Sequence, residues 1–232
     1  MAEYEIIQIN ENTWCIENTM VRCFLLEGEN FALLIDTGMT LPNAKEIAAS
    51  ITDKPLKLLN THTDGDHTSG NAAFDEIYMG KNEPAYYSGK DTSAKLNLLS
   101  DGDELDLGGR KLRIYDLAGH TPGSIAVLDI DARVLISGDS IQDGNIFMMG
   151  QGRDLDKYIE TLTKLWNDHK DEFDLVYPSH GSIPVKPDII PLLIKGAEDI
   201  RAGKISGNAV DFMGNKFMRY DVGCAGFLRD GE

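Results

Sequence analysis

Four of the five histidines in this 232-residue sequence, His62, His67, His120 and His180, stand in turn-like segments that follow apolar runs: THTDGDHTSG, AGHTPGS and YPSHG. A single histidine in such a place is ordinarily a surface or hydrogen-bonded residue, but four of them point to a shared site. His62, Asp64, Asp66 and His67 set four potential metal ligands within six residues. That is too close for one helix face and well suited to a tight loop around an ion. Imidazole mixed with carboxylate suits zinc, iron or manganese. An Asp- and Gly-rich turn capping a helix that starts near Ser69 would account for the Asp and Thr residues, but for neither His62 nor His67.

The elements that must position these residues follow from periodicity. The runs YEIIQI, TWCIE, MVRCFLLE and FALLID, separated by Asn, Glu and Gly, predict four strands of an antiparallel meander. After Asp36-Thr37-Gly38 the apolar residues Leu41, Ala44, Ile47, Ala48 and Ile51 recur at helical spacing, with Pro42 near the helix start, and a strand LKLLN follows. A second series repeats this order: VLISGD at 134–139, a helix with Leu155, Tyr158, Ile159, Leu162, Leu165 and Trp166 on one stripe, then DLVYP. In each series a strand ends in a turn bearing an Asp (36, then 139), and the strand after the helix ends in a turn bearing a His (62, then 180). This weak repeat predicts two sheet halves packed together, with helices outside and functional loops at one edge. Residues 82–100 read as a helix, 101–117 as a hairpin around Gly108-Gly109, Asp188 as the cap of a last helix running to about Arg201, and FMRYDVGCAGFL as strands. No linker interrupts the pattern, so residues 1–232 are expected to form one domain.

The 38 acidic and 22 basic residues leave a net charge of −16, with no cluster of basic residues to hold a phosphate backbone. A small-molecule substrate is expected, and no nucleic-acid partner. No apolar run approaches the ~20 residues of a membrane span, so no membrane association is expected either. Cys15, Cys23 and Cys224 contain no CxxC pair and suit a reducing, cytoplasmic compartment as small buried hydrophobes. Composition leaves the oligomeric state open.

As a set, these residues resemble the metallo-β-lactamase superfamily, whose H-x-H-x-D-H signature is followed by an isolated His, an Asp and a final His. His120, Asp139 and His180 fill those places, and LLIDTG, GHTPGS and SGD match their surroundings. The resemblance implies an α/β fold, a four-layer αββα sandwich of two mixed sheets with outer helices. It makes His62, Asp64 and His120 ligands of one divalent ion, Asp66, His67 and His180 ligands of a second, and Asp139 the bridge. Asp64 stands where the family usually has His, a variation similar to the flavodiiron branch, whose metals are iron. A harder, more anionic first site favours iron or manganese over an all-histidine one, while zinc also suits the donor set.

The activity implied is metal-dependent hydrolysis of a small ester, thioester, lactone or phosphoester by hydroxide held between the two ions. Asp66 would act as the catalytic residue that orients the hydroxide and passes its proton to the leaving group. The alternatives are a redox di-iron protein and a non-catalytic metal- and ligand-binding regulatory module. Asp36 either accepts a hydrogen bond from a ligating imidazole or only stabilises its turn. His169, near a helix end, is excluded from the site. Met148, Met149 and Arg153 either line a substrate pocket, with Arg153 attracting a carboxylate, or pack in loop and core; Tyr86, Tyr87 and Lys90 present the same choice.

Overall fold

The computed structural model describes residues 4–88 and 93–231. Strands β1 (Glu5–Asn10), β2 (Thr13–Asn18), β3 (Val21–Glu27) and β4 (Ala32–Ile35) form the expected antiparallel meander. Helix α1 (Ala44–Ala49) then crosses to β5 (Leu56–Leu59), which pairs parallel to β4. β6 (Glu76–Gly80) and β7 (Lys95–Leu99) extend the sheet to seven strands in sequence order.

The second half runs β8 (Glu104–Asp106), β9 (Lys111–Asp116), β10 (Ile125–Asp129), β11 (Val134–Gly138), β12 (Asn145–Met148), α2 (Leu155–His169), β13 (Leu175–Pro178) and α3 (Ile189–Arg201). β13-β11-β10-β9-β8 make the second sheet. β14 (Asn208–Phe212), β15 (Asn215–Asp221) and β16 (Gly226–Asp230) join β12 in a small third sheet.

Strand alternation sorts the core into layers. Along β3 and β4, Phe24, Leu26, Leu33 and Ile35 face the second sheet, where they meet Leu112, Ile114, Val127 and Ile136. The alternate residues Cys23, Leu25, Ala32 and Leu34 pack under Leu41, Ile47 and Ala48 of the α1 region. On the far side of the second sheet, Tyr115, Ala126, Leu128 and Leu135 meet Tyr158, Leu162 and Leu165 of α2 and Ile190 and Leu193 of α3. The layers therefore read helix, sheet, sheet, helix, and each fully buried aliphatic or Phe side chain contributes about 1.5–3 kcal/mol of burial.

Three local expectations are corrected. The described part of 82–100 is turns followed by the edge strand β7, because KLNLL, whose composition also suits a helix, gains a parallel ladder with β6; residues 89–92 lie outside the described residues. In place of a helix near Ser69 there is one 3₁₀ turn, Asn71–Ala73. Asp188 precedes α3 but its carboxylate makes no capping hydrogen bond, whereas Asp154 does cap α2, accepting from the Lys157 amide.

Candidate metal centre

The loops at the C-terminal ends of β5, β11 and β13, together with the turn between β9 and β10, converge at one edge of the two sheets, and each carries one or more of the residues singled out above. β4 is followed directly by Asp36, whose backbone is left-handed (φ 63°), an uncommon state for a residue other than Gly. That bend turns its buried carboxylate back onto the loop after β5. Asp36 Oδ1 accepts from the Thr61 amide at 2.8 Å, and Oδ2 accepts from the Thr61 hydroxyl at 2.7 Å. His67 Nδ1 lies 2.9 Å from the same Oδ2. At the end of β11, a Cβ on Gly138 would stand 2.7 Å from Thr61 Oγ1, so only glycine lets the Asp139 turn come this close to the histidine loop.

His62, Asp64, Asp66, His67, His120, Asp139 and His180 all meet here, in two groups. In the first, His62 Nε2 lies 3.2 Å from His120 Nε2, and Asp64 Oδ2 lies 3.6 and 3.3 Å from those two nitrogens. In the second, His67 and His180 Nε2 each lie 3.3 Å from Asp139 Oδ1, and Asp66 Oδ2 is 3.3 Å from His180 Nε2. Asp139 joins the groups, because its other oxygen faces His120 and His62 at 3.6 and 4.0 Å. Ligand atoms about 2.1 Å from one tetrahedral ion stand ~3.4 Å from one another, so both groups have the spacing of a coordination shell. His67 Nε2, His180 Nε2 and Asp139 Oδ1 are buried and without a hydrogen-bond partner among the described residues. Buried polar atoms left unpaired are costly, and a cation is what such a convergent donor set fits.

Each imidazole is held from behind. Nδ1 of His62, His67, His120 and His180 faces Thr61 Oγ1, Asp36 Oδ2, the Phe147 carbonyl and the Met20 carbonyl respectively. With Nδ1 thus occupied, Nε2 is turned inward. The electrostatics are those of a strongly coupled cluster. Burial opposes charging of His67, but the Asp139 and Asp36 carboxylates hold its pKa well above the ordinary value. Burial likewise opposes charging of His180, and Asp139 and Asp66 raise it to about 10. His120 is lowered, by burial and by the nearby Arg153.

Two sets of contacts were not legible in the sequence. The first belongs to Glu83, fully buried, which accepts from the Thr63 amide and hydroxyl at 2.7 and 2.8 Å and from the Thr121 hydroxyl and Gly123 amide at 2.8 and 2.9 Å. It thereby ties the His62 loop to the His120 turn. Glu83 sits in a turn that the residue pattern read as helix, and nothing local marks it. The second surrounds Asp64: Tyr86 donates to Oδ1 at 2.7 Å and Arg153 donates to Oδ2 at 2.5 Å.

Of the other residues considered, Asp36 takes the role of acceptor for an imidazole, and His169 lies outside the site against Glu172 and Tyr115. Met148 is in the core, Met149 and Arg153 border the cleft, Tyr87 binds Asn71, and Lys90 lies outside the described residues. The cleft holds about 750 Å³ and opens directly over Asp64, Asp66, Asp139 and His180. Its apolar wall consists of Met20, Met39, Phe147, Met149, Phe212 and Met213.

The sequence model of the metallo-beta-lactamase superfamily matches residues 17–180, and the chain belongs to that superfamily. Acyl-coenzyme A thioesterase MBLAC2 of Homo sapiens is 26% identical over 186 residues, covering 61% of this chain and 66% of that protein. A hydroxyacylglutathione hydrolase of Francisella tularensis subsp. tularensis (strain WY96-3418) is 28% identical over 177 residues, covering 72% of this chain and 66% of that protein. The chain thus spans about 66% of the length of these curated relatives. Among solved structures, a metallo-beta-lactamase from Pontibacter korlensis superposes with a TM-score of 0.72 at 18% identity, over 85% of this chain and 100% of that one, a likeness of fold. No helix among the described residues is long and apolar enough to cross a membrane.

Proposed function

We propose that this chain is a dinuclear metal-dependent hydrolase of thioesters whose acyl part is apolar. The observation that carries the reading is Asp139, which offers one oxygen to each of the two ligand groups. His62, Asp64 and His120 would hold one ion, and Asp66, His67 and His180 the other. Divalent ions held there supply acidified water and polarisation of the substrate carbonyl.

The chain's own residues do the rest. The Nδ1 partners keep the four imidazoles aimed inward, so that little reorganisation accompanies reaction. Asp66, a quarter exposed on the cleft side of the site, is placed to accept a proton from the attacking water and release it to the leaving thiolate. The Met and Phe wall excludes water from the acyl side, and its thioether side chains adapt to different chain shapes. The thioester bond itself is suggested by the two named relatives, both of which are thioester hydrolases.

The test is elemental analysis of metal-replete protein, followed by kcat/KM on acyl-CoA and acylglutathione thioesters of increasing chain length. Two ions per chain, with kcat/KM rising with acyl length, is the expected result. Activity on oxygen esters, lactones or phosphoesters with none on thioesters would overturn the substrate, and a single ion per chain would overturn the dinuclear centre.

A further inference from the structure

Asp64 is the one ligand position at which this chain departs from the H-x-H-x-D-H pattern, and its surroundings differ from those of the other ligands. Its two oxygens are both engaged by protein donors: Tyr86 on Oδ1 and the Arg153 guanidinium on Oδ2. The guanidinium is doubly fixed, since its Nη1 donates to the backbone carbonyl of His120, itself in the same ligand group, at 2.5 Å. Its side chain is only 9% exposed, and it lies over the Tyr86 ring at 5.7 Å. Gly152 makes that packing possible: it has φ +84°, and a Cβ there would press within 3.0 Å of the Tyr86 ring. Arg153 Nε is buried without a partner among the described residues, an arrangement that would be unfavourable for a cation placed there only to pack.

The three carboxylates of the centre, Asp64, Asp66 and Asp139, bring three negative charges. Arg153 is the one Lys or Arg side chain paired with any of them among the described ion pairs. With Arg153 included, the centre carries the charge it would have if residue 64 were a neutral histidine and position 153 were uncharged. The more anionic site expected from Asp64 alone left this cation uncounted.

We propose that Arg153 is a charge-compensating positioning residue that makes Asp64 the electrostatic counterpart of a neutral histidine ligand, so that Asp64 and Arg153 act as one unit in setting metal affinity and selectivity. The inference rests on the reading of these residues as a metal centre. Its consequence runs against intuition. Restoring the family's histidine alone, by Asp64→His, strands an uncompensated guanidinium beside the ions and weakens metal binding, whereas removing both charges restores it.

A double-mutant cycle tests this without recourse to activity. Zinc and manganese affinities would be measured by chelator competition, and stoichiometry by elemental analysis, on wild type, Asp64→His, Arg153→Leu, Asp64→His/Arg153→Leu and Asp64→His/Arg153→Lys, with circular dichroism of the metal-free proteins confirming the fold. Asp64→His should lose affinity roughly 10- to 100-fold, Asp64→His/Arg153→Leu should recover most of it, and Asp64→His/Arg153→Lys, which keeps the charge, should not. Arg153→Leu alone should shift selectivity from zinc towards manganese, the harder ion. If either Leu variant does not fold, Arg153→Gln takes its place.

Asp64→His binding zinc as tightly as wild type, or effects that simply add, would overturn the proposal while leaving the metal centre intact. A wild-type chain that holds no ion would overturn both.

Discussion

At the scale of single residues, Asp139 and Asp36 do different jobs with the same functional group. Asp139 faces inward and offers one oxygen to each of the two ligand groups. On the proposed reading, Asp139→Ala removes the shared negative charge between two cations, so at least one ion should be lost and thioester turnover should fall by roughly two orders of magnitude or more. His169→Ala, at a residue bound to Glu172 outside the centre, should retain both ions. Equal metal content in the two variants would remove Asp139 from the ligand set. Asp36 acts from behind, fixing His67 directly and His62 through the Thr61 hydroxyl. Asp36→Asn tolerates the left-handed backbone while losing the charge, and should lower metal affinity roughly 10- to 100-fold with the fold preserved. Chelator competition that finds wild-type affinity would reduce Asp36 to a turn residue.

At the scale of elements, the centre depends on loops from different strands keeping register with one another. The meander and α1 deliver Asp36 and the His62 loop, while β9, β10, β11 and β13 deliver His120, Asp139 and His180. The two sheets meet through apolar packing, which is not directional enough to set a ligand distance. Glu83 supplies a directional tie, with four donors from both sides, beside the Ile125 amide that donates to the Thr61 carbonyl at 2.9 Å. Glu83→Gln keeps the shape but presents an amide donor to hydrogen-bond donors, leaving one or two of them unpaired. The expected loss is about 1–3 kcal/mol of stability, read from chemical denaturation, together with weaker metal binding. A loss of stability with unchanged metal affinity would show that the tie serves the fold and not the site.

At the scale of the whole molecule, the buried cysteines report on the layers. Cys15 faces the second sheet and Cys23 faces α1, so the two lie on opposite faces of the first sheet. Burial raises Cys15 to about 12, aided by Glu17, and pushes Cys23 well above its ordinary value, aided by Asp36. A raised thiol pKa means little thiolate below that pH, and the thiolate is the reacting species. Between pH 7 and 9 the native protein should therefore react with a thiol reagent at Cys224 at most, and Cys15 and Cys23 should react only as the layers separate on unfolding. Rapid labelling of Cys15 or Cys23 in the native state would contradict the packing. The core gives a second check: Phe24→Ala, at the centre of the intersheet layer, should cost about 3–5 kcal/mol without altering which residues bind metal.

What the sequence determined by itself was the inventory and its order. Four histidines and three aspartates follow strands, and two strand–helix–strand series carry an Asp and then a His. Period-two and period-3.6 patterning is a local property, and it located the meander, α1, α2, α3 and the hairpin of β8 and β9. It failed for 95–99, where the choice between helix and strand depended on a neighbouring edge, β6, distant in sequence. The partners that hold the ligands were legible only in three dimensions, for the same reason. Thr63 and Thr121 meet Glu83 across 20 and 38 residues of chain, and Asp64 meets Arg153 across 89. A hydrogen bond between residues so far apart leaves no periodicity behind. Which charge stands beside Asp64, at the position where the family has an imidazole, was decided by the packing of the two sheets and the turns at their edge.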